Sequence, residues 1–346
     1  MLRSYLRAGS GVAVALAVLE LALRPLASPN LPPIARPGDD SIGSPAVEAR
    51  QLEEGIGKAH FSLAGARLTG NTAIPDAATI VILGDSHVVA REISDDQTMG
   101  AWVERLARKN LQLVNVRQYG WRGASPPQYL LVAHDVLARW HPTQVVVVLD
   151  GDDLGADPLN RRFPRMRILQ NDSVEIVSSP DAAAAARQDH YSTLATLFRI
   201  RWQQVLERAP KSVRYWLNVA REVRGPEPDA ASLAAVPRAE VKALSHAFGS
   251  RLLIVYTADV RATGGDKADA GERRLLDACA AQHVRCVSMR QLMLSARRNG
   301  FVLRGFSTTT LGVGHLNAMG HELVGRTIWS EISRQDPPNT AKLAQQ

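Results

Sequence analysis

The sequence predicts a doubly wound α/β domain with a mainly parallel five-stranded sheet, a helical insertion after the third strand and an N-terminal membrane anchor. Three observations point there. Short apolar runs rich in β-branched residues recur from residue 78 onward. Stretches with helical spacing of apolar positions separate them. The first and third runs, Thr79–Leu83 and Val145–Leu149, are apolar throughout, as strands buried on both faces of a parallel sheet must be.

Strand one, Thr79–Leu83, ends in Gly84, and a helix is expected over about 96–109 with Trp102, Val103, Leu106 and Ala107 on one face. Leu111–Val116 reads as strand two, 126–140 as the next helix and Val145–Leu149 as strand three. After Leu154 the rhythm breaks. Residues 155–250 are charged and Ala-rich, and read as an inserted cap with a hairpin at Met166–Leu169 and Ser173–Val177. The alternation resumes with strand Arg251–Tyr256, helix Gly271–Gln282, strand Val284–Val287, a helix at about 289–298, the loop Asn299–Gly314 and a final helix Asn317–Ser333. Right-handed crossovers between such strands place ligand chemistry at the carboxyl ends of the sheet. The domain is expected to span 78–334, with 335–346 a disordered tail.

Residues 1–24 carry the targeting signal. Arg3 and Arg7 precede an apolar stretch from Ala8 to Leu23 that is broken only by Glu20. A spanning helix needs roughly 20 residues, and Leu2, Tyr5 and Leu6 lengthen the stretch. Basic residues ahead of it favour a cytoplasmic N-terminus and export of the rest. The expectation is an uncleaved single-pass signal anchor in an inner membrane, with the domain on the periplasmic side; a cleaved signal peptide is the alternative. Residues 25–77, rich in Pro, Gly, Ser and Ala at their start, read as linker and domain entry.

The net charge is +7, but Arg and Lys are scattered and no run pairs them with aromatics, which argues against nucleic acid as a partner. Two cysteines, Cys279 and Cys286, fit neither a zinc pattern nor a C-x-x-C redox motif. Their spacing is compatible with a disulfide or with two buried thiols. No Walker or dinucleotide loop is present, and no cofactor is implied. Asp150, Asp152 and Asp153 crowd one turn without a nearby His, so they read as turn and cap residues and no metal site is expected.

Chemistry concentrates at two places. Gly84-Asp85-Ser86-His87 comes after strand one, where a strand-to-helix turn presents the Ser86 hydroxyl to a cleft. Gly312-Val313-Gly314-His315-Leu316-Asn317 precedes the last helix, from which a loop can carry an imidazole toward Ser86. A hydroxyl becomes a nucleophile when a base within hydrogen-bond reach takes its proton, and His suits neutral pH. Ser86 and His315 are therefore the candidate pair, while His321 reads as a packing or surface residue. Trp121 and Arg122 could line the entrance, surface packing being the simpler reading.

With Tyr119–Ser125 after strand two and Asp150–Leu154 after strand three, the chain resembles the SGNH (GDSL-type) hydrolase superfamily, which has a flavodoxin-like fold. The blocks run in that family's order: Gly-Asp-Ser, a Gly-rich turn, Gly-x-Asn-Asp, and Asp-x-x-His. The resemblance implies that Ser86 is the nucleophile and, through its backbone N–H, one oxyanion donor; Gly123 supplies the second donor and His315 the base. Two positions depart. Asp152 stands where the family has its third donor, an Asn, and an ionised carboxylate cannot donate. Gly312 stands where the acid of Asp-x-x-His belongs. Losing one oxyanion donor costs about a hundred- to a thousandfold in rate. Asp85, Asp152 and Asp153 are candidate supporting residues, and Asp153 could brace the turn carrying Ser86.

The resemblance implies an acyl-ester hydrolase or O-acyl (acetyl) transferase acting on an acylated polysaccharide or small ester, with a membrane-bound acyltransferase as partner. A catalytically weakened relative that binds glycan or a partner is the alternative.

Overall fold

The computed structural model describes residues 14–19, 21, 47–50, 54–150 apart from 56, 63, 64 and 122, residue 153, 165–168, 174–177, 230–258, 260, and 270–334 apart from 308 and 310. Of the expected anchor, residues 14–19 and 21 are helical, and Val14, Leu16, Val18, Leu19 and Leu21 are exposed. No described helix is long and apolar enough to cross a membrane. The tail 335–346 and most of 155–229 lie outside the described residues.

Five strands form the central sheet: β3 (Ala78–Gly84), β4 (Val114–Gly120), β5 (Gln144–Leu149), β8 (Leu252–Tyr256) and β9 (Arg285–Ser288). Their spatial order is β4-β3-β5-β8-β9 and every pairing is parallel. This is the expected doubly wound α/β architecture. The order reverses direction between β3 and β5, a switch point that opens a crevice at the carboxyl ends of the strands.

Side-chain alternation explains why these runs are apolar throughout. Val81, Leu83, Val145, Val147 and Ile254 enter one core with α3 (Pro126–Trp140), α4 (Ala230–Phe248) and α5 (Ala270–Ala281). Ile80, Ile82, Val146, Val148 and Leu253 enter the other with α2 (Met99–Lys109), α6 (Arg290–Arg298) and α7 (Ala318–Ser333). Helix starts obey capping chemistry: the Thr98 hydroxyl accepts from Ala101 N–H, and the Asn317 side chain accepts from Met319 and Gly320 N–H.

Several expectations shift. Strand two, expected at Leu111–Val116, is β4, three residues later. Leu111 has φ +58° and is 78% exposed, because the chain is still turning out of α2. Polar residues enter the buried strand because tertiary bonds satisfy them. Asn115 exchanges hydrogen bonds with the backbone of Ile74, while Gln118 accepts from Gly100 N–H and donates to Thr98 Oγ1. Helix α4 lies within the range read as insertion, yet Val241, Leu244 and Phe248 pack into the sheet's core. The inserted hairpin is present as β6 (Arg165–Ile168) and β7 (Val174–Val177). Cys279 and Cys286 form a disulfide between the end of α5 and β9, with Cα atoms 6.1 Å apart.

The stretch read as linker also holds structure. Strands β1 (Val47–Arg50) and β2 (Lys58–Phe61) make an antiparallel hairpin. The fully buried Arg67 ties the segment after β2 to the core: its guanidinium donates to the carbonyls of His60, Leu68, Ala90 and Ile93 and pairs with Asp95. Between the strands, Gly55 and Gly57 lie against the backbone of 92–93; an added Cβ would sit 2.4 Å from Glu92 O and 2.5 Å from Ile93 backbone atoms. Only glycine permits that approach, and it delivers Glu54 to the carboxyl end of the sheet.

Candidate active site

The strand-to-helix turn after β3 holds Asp85, Ser86 and His87, the last two opening α1 (Ser86–Val89). Asp85 caps this helix, its Oδ1 accepting from His87 N–H at 2.9 Å. The Ser86 hydroxyl donates to Asp85 Oδ2 at 3.0 Å, and no hydrogen bond joins Ser86 to His315. Asp85 therefore holds both the turn and the resting hydroxyl.

His87, to which the sequence assigns no role, is the joint between the two distant motifs. It is 5% exposed and both ring nitrogens are engaged. Its Nδ1 accepts from Leu316 N–H at 3.3 Å, and its Nε2 lies 3.1 Å from Asp150 Oδ2 and 3.2 Å from Arg304 Nη1. Leu316 is the residue after His315, so the C-terminal loop is fastened to the Ser86 turn. Arg304, also buried, spans the same gap by donating to the carbonyls of Gly314 and Thr257. The two distant stretches named from the sequence are thus brought together, with the His87 and His315 ring centroids 5.3 Å apart at 63°.

His315 is held differently. Its Nδ1–H donates to Glu54 Oε2 at 2.5 Å, its backbone N–H reaches the same oxygen at 3.2 Å, and its side chain is 22% exposed. No described group bonds its Nε2. The acid missing at Gly312 thus has a counterpart in Glu54, from the segment read as domain entry. Glu92 Oε1 lies 3.7 Å from the same Nδ1. Burial opposes protonation of His315, but the Glu54 hydrogen bond and the charges of Glu92 and Glu54 outweigh it and raise the pKa from 6.5 to about 9. For Glu54, burial pushes upward and the bond and charge of His315 win, so it sits below its ordinary 4.5.

The other candidates have varied places. No described hydrogen bond engages the N–H of Ser86 or of Gly123. Gly123 adopts φ +68° in the turn beyond β4, and that turn adjoins Gly84 through a Trp121 N–H to Gly84 O bond of 3.2 Å. Asp152 and Arg122 lie outside the described residues. Asp153 is buried and its Oδ2 accepts from Asp150 N–H at 2.9 Å; it braces the turn after β5, and Asp150, through His87, is the residue that reaches the Ser86 turn. Trp121 stacks on Tyr129. His321 packs as expected: it is buried, its Nδ1 accepts from Met99 N–H, and burial holds its pKa well below 6.5.

Two clusters, Glu54–Glu92–His315 and Asp85–His87–Asp150, each bring ligand-type atoms within 4.8 Å of one another. In each, an imidazole nitrogen lies within hydrogen-bond reach of a carboxylate oxygen. They read as hydrogen-bonded pairs.

No protein-family model and no curated protein sequence matches the chain. Among solved structures it is similar to a lipase/acylhydrolase from Enterococcus faecalis, at 15% identity and a TM-score of 0.38 over 75% of this chain and 96% of that one. It is also similar to an acetyl xylan esterase, AlAXEase, at 13% identity and a TM-score of 0.40 over 73% of this chain and 99% of that one. A two-domain esterase (CEX) active on acetylated mannans aligns at 11% identity and a TM-score of 0.42, covering 75% of this chain and 49% of the other. These likenesses are distant in both sequence and superposition.

Proposed function

We propose that the chain is a serine-dependent acyl-ester hydrolase or O-acyltransferase of the SGNH kind, with Ser86 as nucleophile, His315 as base and Glu54 as the acid that orients it. One observation carries the reading. His315 has Nδ1 fixed by a carboxylate and Nε2 without a partner among the described residues, on a loop that His87 fastens to the Ser86 turn. That is what a general base needs: a ring held by an acid, a set direction and, once the imidazole is deprotonated above its pKa of about 9, a lone pair on Nε2.

In the reaction, the Ser86 hydroxyl leaves Asp85 for His315 Nε2 and gives up its proton as Oγ attacks the ester carbonyl. The N–H groups of Ser86 and Gly123 stabilise the oxyanion. Collapse expels the alcohol, which takes the proton back from His315, and leaves an acyl-serine that water or a sugar hydroxyl resolves. An acetylated envelope polysaccharide is the substrate class we favour, with a membrane-bound acyltransferase as partner. Two features support an export compartment: the disulfide, which persists in oxidising surroundings, and the basic-then-apolar N-terminus.

A non-catalytic glycan-binding role is the second reading, favoured by the Ser86 hydroxyl resting on Asp85 rather than on His315. Hydrolysis of an aryl acetate separates the two. Turnover by the wild type that Ser86→Ala abolishes supports the enzyme; a folded wild type with no turnover favours the binding module.

A further inference from the structure

Glu92 belongs to none of the motifs read from the sequence. It comes just after α1, where Ala90 at φ +48° turns the chain, and its carboxyl lies beside His315. The side chain is 5% exposed, and Oε2 is buried with no hydrogen-bond partner among the described residues. An ionised carboxylate at that depth is costly unless a positive charge answers it. Its neighbour Oε1 lies 3.7 Å from His315 Nδ1, too far for a hydrogen bond and close enough for charge to act.

We infer that Glu92 is a second positioning carboxylate for the His315 base, acting by charge on the same ring nitrogen that Glu54 holds by hydrogen bond. The inference rests on the reading of His315 as the base. When His315 takes the Ser86 proton, the imidazolium faces one carboxylate in bonding contact and another behind it, and the buried charge of Glu92 gains its counter-ion in the same step. Burial raises the pKa of Glu92 and the His315 charge opposes that rise, as expected for groups that ionise together.

Other charges face this pair. Asp85, Glu54 and the His87 ring act on His315. Glu54, His87 and the Arg67 guanidinium act on Glu92. Arg304 donates to the carbonyl of Gly314, and His321 lies within reach of the His315 charge. All remain when Glu92 alone is changed.

The test is an NMR titration of the His315 imidazole in the full chain, compared with Glu92→Gln and Glu92→Asp. Glu92→Gln should lower the His315 midpoint by about one pH unit or more. Glu92→Asp, which keeps the charge but withdraws it, should lower it less. The pH profile of aryl-acetate kcat/KM should move the same way. A His315 midpoint unmoved in folded Glu92→Gln overturns the inference; if that variant does not fold, an unmoved midpoint in Glu92→Asp does so. The titration requires no turnover. An inactive protein with a shifted midpoint therefore defeats the enzymatic reading and leaves only the charge coupling of Glu92 to His315, whereas an active one with an unmoved midpoint defeats the role of Glu92 alone.

Discussion

Two histidines, with ring centroids 5.3 Å apart, each bond to a carboxylate through one ring nitrogen, yet their surroundings give them different work. His87 is sealed, with Asp150 and Arg304 at one nitrogen and the Leu316 backbone at the other, so both nitrogens are occupied. His315 is partly open, with Glu54 on Nδ1 and nothing described on Nε2. Residue type and a carboxylate partner do not separate a structural imidazole from a reactive one; the second nitrogen does.

Perturbing each cluster in turn sharpens or breaks this contrast. His315→Ala should lower aryl-acetate turnover by at least about a thousandfold while circular dichroism shows the fold retained. Glu54→Gln should cost about a hundred- to ten-thousandfold in kcat, since the imidazole loses its orienting acid. It should also move the pH profile. The base works unprotonated, so wild-type kcat/KM should climb with pH through a midpoint near the His315 pKa of about 9, and removing the Glu54 charge should lower that midpoint.

His87→Ala leaves Leu316 N–H and Asp150 without their ring partner. It should destabilise the protein by about 2–4 kcal/mol in urea unfolding and slow turnover by about ten- to a hundredfold through a misplaced loop. Its pH midpoint should move less than that of Glu54→Gln; a shift as large would merge the two clusters into one. The smallest effect on activity belongs to reduction of Cys279–Cys286, which should cost about 2 kcal/mol of stability and leave kcat unchanged.

The His315–Glu54 pair also links stability to pH. His315 is raised from 6.5 to about 9, so its contribution is complete below 6.5 and fades as pH rises through 9. Glu54 is lowered from 4.5, so its contribution is present above 4.5 and fades as pH falls through its depressed value.

Much of this arrangement was legible in the sequence. Runs such as Val145–Leu149 announce buried parallel strands because both faces meet a helix layer, and the Ser86 and His315 motifs sit at the ends of such elements. Strand β4 was displaced because Asn115 and Gln118 look unfit for a core until their bonds to Ile74, Gly100 and Thr98 are known. Glu54 was missed for a related reason. A glutamate in a glycine-containing stretch has no period or motif, and its meaning comes from Gly55 and Gly57 letting that stretch lie against 92–93, about 260 residues from His315 in the chain. A signal was nonetheless present: with Gly312 in the acid's place, a working His315 needed a carboxylate from elsewhere. Gly-Asp-Ser-His also displayed His87 openly, but adjacency to Ser86 gave no hint that its ring faces Asp150 and Leu316.

The most direct measurement is peptide mapping by mass spectrometry after fluorophosphonate labelling of the full chain across a pH series. The account predicts one adduct, on Ser86, forming faster as pH rises toward 9 and lost in His315→Ala. Labelling at another residue, none in a folded sample, or an unchanged Ser86 adduct without His315 would contradict it.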